Sequence, residues 1–326
     1  FSDAKRIFYN MPESPAKDFY LGILAAFFED YEETKKLLEG IKGSPDFGRQ
    51  ATILLGTFEE FSLFPEGNPL HLRLLIAKAF NDLRFFEMAV QSTKKIIKEE
   101  EKYRDAWIIL GHSYLSLERY DLARNILEKA LELDPTKPET AFFLGLSETA
   151  LEDYDSAVTH LSMARENGYV PQAEVTKALA EAFLNGKFYD AARKEFEKLL
   201  DIKGAPVEKY VQPIRISIEF LKDPNTAQTL AKKAVTNYPD SEVAKNLLAW
   251  ALLEDEKFGE AREILEEIIL SNEEFAPAFL NLGKVAEKEE KYEEALEYYK
   301  QAYDLTPHTE VGSIAAQKYN DIVLKL

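Results

Sequence analysis

The chain offers few side chains of the types and spacing that enzyme chemistry requires. Its four histidines form no i, i+4 pair and no HExxH sequence, the spacings that bring imidazoles together on a metal ion; they are His71, His112, His160 and His308. Without cysteine, the chain has no thiolate ligand, no cysteine nucleophile and no disulfide. Neither a glycine-rich phosphate loop nor a Gly-x-Ser-x-Gly sequence occurs. We therefore predict no enzyme activity, no metal and no cofactor. The alternative is an enzyme whose catalytic site is assembled from distant segments or lies in a catalytic domain preceding Phe1.

The charge of the chain restricts its partners. Its 58 acidic and 40 basic residues give a formal net charge of -18. Nucleic acids and anionic lipid surfaces attract clustered Lys and Arg, so we expect neither as a partner. The longest apolar run, residues 21–28, is shorter than the roughly 20 residues that cross a bilayer. We expect a soluble segment and a cytoplasmic protein by default, while export or membrane tethering stays open because the chain begins at Phe1 rather than at methionine.

The elements that position these side chains recur along the chain at a fixed period. Alanines separated by 34 or 35 residues are Ala89, Ala123, Ala157, Ala192, Ala227, Ala261 and Ala295. Such a period indicates one supersecondary element copied in tandem. Apolar residues at repeat positions 4, 7, 8 and 11, and again at 20, 24 and 27, follow helical spacing. Each repeat is therefore predicted to be an antiparallel pair, helix A and helix B, with a small residue at position 8 where the two cross closely.

One repeat shows the whole pattern. Residues 104–137 carry Trp107, Leu110, Gly111, Tyr114, Ala123, Leu127, Ala130 and Pro135. This pattern closely resembles the tetratricopeptide repeat signature, and residues 276–309 repeat it. The resemblance implies an all-α, right-handed superhelical solenoid of about eight helix-turn-helix repeats, in which helices A line a concave groove.

The period also predicts how the chain is divided. The expected segments are a half-repeat or cap at 1–14, a degenerate repeat at 15–48, an inserted helix and turn at 49–69, seven repeats over 70–309 (70–103, 104–137, 138–171, 173–206, 208–241, 242–275 and 276–309), and a capping helix at 310–326. The repeat at 208–241 departs from the pattern, because Pro213 lies in its helix A and Arg215 replaces the small residue at position 8. We expect a kinked helix and a bend of the superhelix there.

The resemblance implies that a partner binds in the concave groove, on helix A positions 2, 5, 9, 12 and 13. The candidate partner-binding residues are His71, Leu74, Lys78, Ile108, His112, Leu115, Phe142, Leu146, Trp250 and Leu253. Trp250 is the foremost of them, since tryptophan is a common interface anchor. The alternative is that Trp250 packs on an adjacent helix.

Two functions are consistent with this pattern. The carboxylate clamp with which some tetratricopeptide domains hold acidic chaperone tails is absent, because no three successive repeats supply its Lys, Asn and Arg set. We predict a non-catalytic interaction scaffold that binds a peptide or helix of a protein partner in the groove. The alternative is a permanent structural or accessory subunit of a larger envelope, secretion or modifying-enzyme assembly, which exposed apolar surface on the convex side or at Leu63 and Phe64 would favour. The partner, the pathway and the oligomeric state are not encoded in any motif.

Overall fold

The computed structural model describes residues 2–63, 67–202 and 204–324, and these residues form helices and no strand. They fall into two compact units, an N-terminal unit of residues 1–175 and a C-terminal unit of residues 176–326. Each unit is a series of antiparallel helical hairpins, which confirms the all-α repeat fold class. Phe64 and the predicted turn at Pro65 and Glu66 lie outside the described residues, as does the side chain of Ala4 in the predicted half-repeat.

The N-terminal unit contains ten complete helices: α1 (Ser2–Tyr9), α2 (Pro15–Phe27), α3 (Tyr31–Gly40), α4 (Gly48–Ser62), α5 (Pro69–Asp82), α6 (Phe86–Glu99), α7 (Arg104–Ser116), α8 (Tyr120–Leu133), α9 (Pro138–Ala150) and α10 (Tyr154–Glu166), counted over the described residues. Helix α4 lies in the segment where the sequence predicts an inserted helix. Its Leu54 is fully buried in one core with Phe19 of α2 and Phe80 of α5. The insertion therefore extends the packed core rather than looping away from it.

The C-terminal unit contains most of α11 (Gln172–Asn185), followed by α12 (Tyr189–Lys198), α13 (Val211–Arg215), α14 (Pro224–Asn237), α15 (Glu242–Glu254), α16 (Phe258–Ser271), α17 (Ala276–Lys288), α18 (Tyr292–Leu305) and α19 (Glu310–Val323). The last of these is the helix predicted after the final repeat. Its Ala315 and Ile322 share a core with Tyr299 and Ala302 of α18. In the part of the chain that the structure describes, no helix has both the length and the apolar character of a membrane span.

Small residues at repeat position 8 allow the two helices of a hairpin to approach closely. A Cβ atom added to Gly145 of α9 would lie 2.6 Å from Cγ of Leu161 in α10, and one added to Gly283 of α17 would lie 2.5 Å from Cε1 of Tyr299. Carbon atoms in ordinary contact are about 3.5 to 4.0 Å apart. The predicted steric reason for glycine at this position is thus present in both units.

A left-handed residue ends each helix A. Among the described residues, the non-glycine residues with positive φ are Glu29, Arg84, Glu118, Glu152, Lys187, Lys222, Glu256 and Glu290, which all occupy repeat position 15. In seven of these turns, the following amide donates to the carbonyl five residues earlier, as Arg119 does to Tyr114 over 2.9 Å. This is the Schellman hydrogen bond that satisfies carbonyls at a helix end. The motif usually has glycine at the left-handed position, so the sequence alone gave no sign of it.

The repeat at 208–241 lacks a regular helix A, as predicted, but the arrangement differs from a simple proline kink. A 3₁₀ turn at Val207–Tyr210 precedes α13, and a π-helical turn at Ile216–Phe220 follows it. Pro213 is the third residue of α13, where a backbone N–H would have no acceptor within the helix. The irregular hydrogen bonding therefore lies on both sides of Pro213, and a bend of the superhelix stays a prediction.

Candidate functional site

The ten predicted site residues differ in how far their side chains are exposed. Four of them are less than 8% exposed, namely Leu74, Ile108, Phe142 and Leu253. Leu74 packs with Ile96 and Ala106, while the Phe142 ring stacks on Tyr169 with centroids 4.0 Å apart. These four side chains stabilise the packing between helices and offer no surface to a partner, which corrects the expectation that they face a groove.

The remaining residues of the N-terminal unit lie on α5, α7 and α9 and are partly or fully exposed. Lys78 is exposed, and the partly buried ones are His71, Leu115, Leu146 and His112. Nδ1 of His71 lies 3.3 Å from the Tyr103 hydroxyl. This surface is mixed in character, with two aliphatic side chains between polar groups.

His112 is held by neighbours on both adjacent helices. Its ring stacks on Phe143 with centroids 4.4 Å apart, and its Nδ1 lies 3.4 Å from the amide nitrogen of Asn81. Ser113 donates a hydrogen bond to the Asn81 carbonyl oxygen over 2.9 Å. Burial lowers the pKa of His112, and the nearby Asp82 carboxylate only partly opposes this. His112 is therefore neutral near pH 7 and joins α5, α7 and α9.

The C-terminal unit places Trp250 of α15 beside Lys284 of α17. The Lys284 ammonium lies 5.3 Å from the centroid of the Trp250 ring, within the range of a cation–π contact. Trp250 is partly buried and packs against a core that includes Ile214, Ile218 and Leu247. One part of the indole therefore packs on a neighbouring helix and another part remains accessible, while partner binding at Trp250 stays a prediction.

Lys284 is a partly buried cation on α17, a helix whose other residues are mostly buried. Among the described residues, no carboxylate forms an ion pair with its ammonium group. Burial lowers the pKa of Lys284, while the carboxylates of Glu254, Glu219 and Glu287 raise it and Lys318 lowers it further. Glu287 is itself engaged, since it accepts hydrogen bonds from the Tyr299 hydroxyl over 2.8 Å and from Lys318 over 3.3 Å. The accessible indole and this desolvated ammonium group form what we call the Trp250–Lys284 surface.

The same face carries a second polar contact between neighbouring helices A. The Asn281 amide donates to the Asn246 carbonyl oxygen over 3.0 Å, and both residues are buried. This hydrogen bond fixes the register of α15 against α17, so Trp250 and Lys284 are held at a defined separation. In the described ranges, no group of His, Asp and Glu has the geometry of a metal site.

Comparison with known proteins identifies the repeats. Tetratricopeptide repeat models match residues 142–206 and 246–308, and another matches residues 105–137. Two rice proteins (Oryza sativa subsp. japonica), the DnaJ protein P58IPK homologs B and A, are 36% identical over 72 and 70 residues respectively. These segments cover 22% of this chain and only 15% of each rice protein.

A solved structure supports the fold at greater length. The C-terminal part of a TPR repeat-containing protein from Cytophaga hutchinsonii matches with a TM-score of 0.57 and 14% identity, covering 74% of this chain and 98% of that one. At this identity the likeness concerns the fold alone. Together with the matched repeat models, it defines the class of helical-hairpin repeat proteins. The chain belongs to the tetratricopeptide repeat superfamily.

Proposed function

We propose that this protein is a non-catalytic scaffold that binds a peptide or helix of a protein partner at the Trp250–Lys284 surface. Tetratricopeptide repeats are in general protein-interaction modules. The observation that carries the proposal is the pairing of a partly accessible indole with an ammonium group that forms no ion pair among the described residues. Tryptophan anchors contribute strongly to interfaces because they remove a large apolar area from water at a small cost in side-chain entropy.

The chemistry of the two side chains defines what the partner offers. An apolar side chain of the partner would cover the indole, while a backbone carbonyl would accept a hydrogen bond from Lys284. This bond would compensate the ammonium group for the water it has lost. A partner segment of this kind is expected to bind with a dissociation constant of about 1 μM, which corresponds to about -8 kcal/mol.

The test is capture from a lysate of the source cells, followed by calorimetric titration of the captured protein. Wild type is compared with Trp250→Ala and with Trp107→Ala, which removes the other of the two tryptophans in the chain. Truncating an anchor costs about 2 kcal/mol or more, so Trp250→Ala should weaken binding about 30-fold. Trp107→Ala should leave the affinity unchanged, and equal affinity of wild type and Trp250→Ala would refute the proposed site.

A second candidate function is a permanent structural subunit, and one observation favours it. Leu63, at the end of α4, is 76% exposed, as expected for a residue that a neighbouring subunit covers. Phe64, the other residue predicted to mark this surface, lies outside the described residues. Purification at native abundance distinguishes the two functions. A subunit would elute in one stoichiometric assembly that resists 1 M salt, whereas a scaffold would exchange its partner and elute alone.

A further inference from the structure

A groove that no predicted site residue touches lies between the C-terminal ends of α16 and α18. Its volume is about 540 Å³, within the range of ligand-binding clefts. Its lining combines apolar side chains with two carboxylates and an amide, contributed by Ile269, Leu270, Phe279, Tyr298 and Leu305, and by Glu273, Asp304 and Gln301. We call this feature the α16–α18 groove.

The apolar part of the groove is unusually accessible. Leu270 is 84% exposed and Leu305 is 38% exposed. Isolated exposed leucines are common on protein surfaces, but here both belong to one concave lining that also includes two aromatic rings. The two leucines thus add exposed apolar surface to a concave lining with a polar rim.

The charge at the rim is of one sign. Glu273 and Asp304 are exposed, and neither forms an ion pair among the residues that the structure describes. Arg262, on the same helix as Leu270, is already engaged with Glu289 and Glu294, each at 2.7 Å. No Lys or Arg lines the groove in the described part of the chain. The apolar lining is therefore bordered by two carboxylates that form no ion pair among the described residues.

We propose that the α16–α18 groove docks an amphipathic helix of a protein partner, with an apolar anchor side chain flanked by Lys or Arg residues. The lining residues of α18 recur at i, i+3 and i+7, at Tyr298, Gln301 and Leu305, and so form a stripe about 10 Å long. Two turns of a partner helix cover such a stripe, and helices commonly bind by laying apolar residues into a groove. The basic flanks meet Glu273 and Asp304, which sets the orientation and favours basic over acidic segments.

This surface shares no residue with the Trp250–Lys284 surface, so either proposal can fail alone. The first test uses a phage-displayed library of random 16-residue peptides, selected on wild type and depleted on Leu270→Asp. Because Leu270 is 84% exposed, this substitution leaves the core intact. The expected product is a family of peptides with an aliphatic or aromatic residue between Lys or Arg residues at helical spacing. A selection without enrichment, or one in which Leu270→Asp removes no peptide, overturns the proposal.

The second test measures the selected peptide by fluorescence anisotropy. Leu270→Asp and the double variant Glu273→Lys, Asp304→Lys should each weaken binding at least about 10-fold, within the range for truncated interface anchors. The matched control is Leu122→Asp, which changes another exposed leucine, at 45% exposure. Trp250→Ala should also bind like wild type. A version of the peptide with Glu in place of each Lys and Arg should bind the double variant better than wild type, and equal binding of both peptides to wild type overturns the assigned chemistry.

Discussion

The close approach of the two helices at Gly145 gives a quantitative prediction. In Gly145→Ala, the new Cβ would lie 2.6 Å from Cγ and 3.0 Å from Cδ2 of Leu161, and 3.1 Å from the backbone oxygen of Ala157. Because carbon contacts settle near 3.5 to 4.0 Å, α9 and α10 must separate by about 1 Å or Leu161 must leave its position. Overpacking of this kind costs about 1 to 3 kcal/mol. Alanine regains about 1 kcal/mol of helix propensity, so the net loss of stability is about 0 to 2 kcal/mol.

The same unit contains a matched control. Gly56 lies inside α4, and a Cβ added there meets nothing within 4 Å. Gly56→Ala should therefore stabilise the protein by about 1 kcal/mol through helix propensity alone. Urea unfolding followed by circular dichroism should separate the two variants by about 1 to 3 kcal/mol, with equal m-values. A Gly145→Ala protein stabilised as much as Gly56→Ala would refute the steric explanation, whereas Leu161→Ala should reduce the cost of Gly145→Ala in a double-mutant cycle.

Two histidines and one turn residue give further predictions. Nδ1 of His160 donates a hydrogen bond to the buried Glu148 carboxylate over 2.7 Å, which raises the pKa of His160. This contribution to stability is present below the unfolded pKa of about 6.5 and lost as pH rises through the folded value, so His160→Gln should flatten the decline in unfolding free energy above pH 6.5. The pKa of His112 is lowered by burial, so its effect has the opposite sign: stability falls as pH drops below about 6.5, and His112→Gln should remove that fall. Unaltered pH profiles in urea titrations of either variant would contradict these assignments. Glu118 has a left-handed backbone conformation, with φ of 57°. In thermal unfolding, Glu118→Gly should be neutral or up to about 1 kcal/mol stabilising, and Glu118→Val should be destabilising by about 1 to 2 kcal/mol. The reverse order of stability would contradict the strain at this turn.

The repeat architecture was predictable because it follows from periodic side-chain volume. In most repeats a small residue such as Gly145 lies opposite a large one such as Leu161, and this alternation is visible in the sequence. The left-handed turns were not predictable, because Glu118 and Glu256 are residues that give no conformational signal. There the Schellman hydrogen bond overrides the local preference of the residue.

The candidate site was predictable only in part. Trp250 is partly buried, and the sequence did not reveal its contact with Lys284, which depends on how adjacent helices A are aligned. Leu74 and Phe142 are buried because neighbouring helices cover them, and position within a repeat does not determine that cover. The α16–α18 groove is not predictable from the repeat pattern, because most of its lining belongs to helices B, whereas the family pattern places partner-binding residues on helix A.

The most direct test of the proposed binding surface uses the fluorescence of Trp250. The chain has two tryptophans, so Trp107→Phe leaves Trp250 as the only indole. Titrating this variant with the captured partner should shift the emission maximum to shorter wavelength and saturate with the dissociation constant measured by calorimetry, because the partner removes the indole from water. A partner that binds with the same constant while the emission of Trp250 stays unchanged would contradict the account.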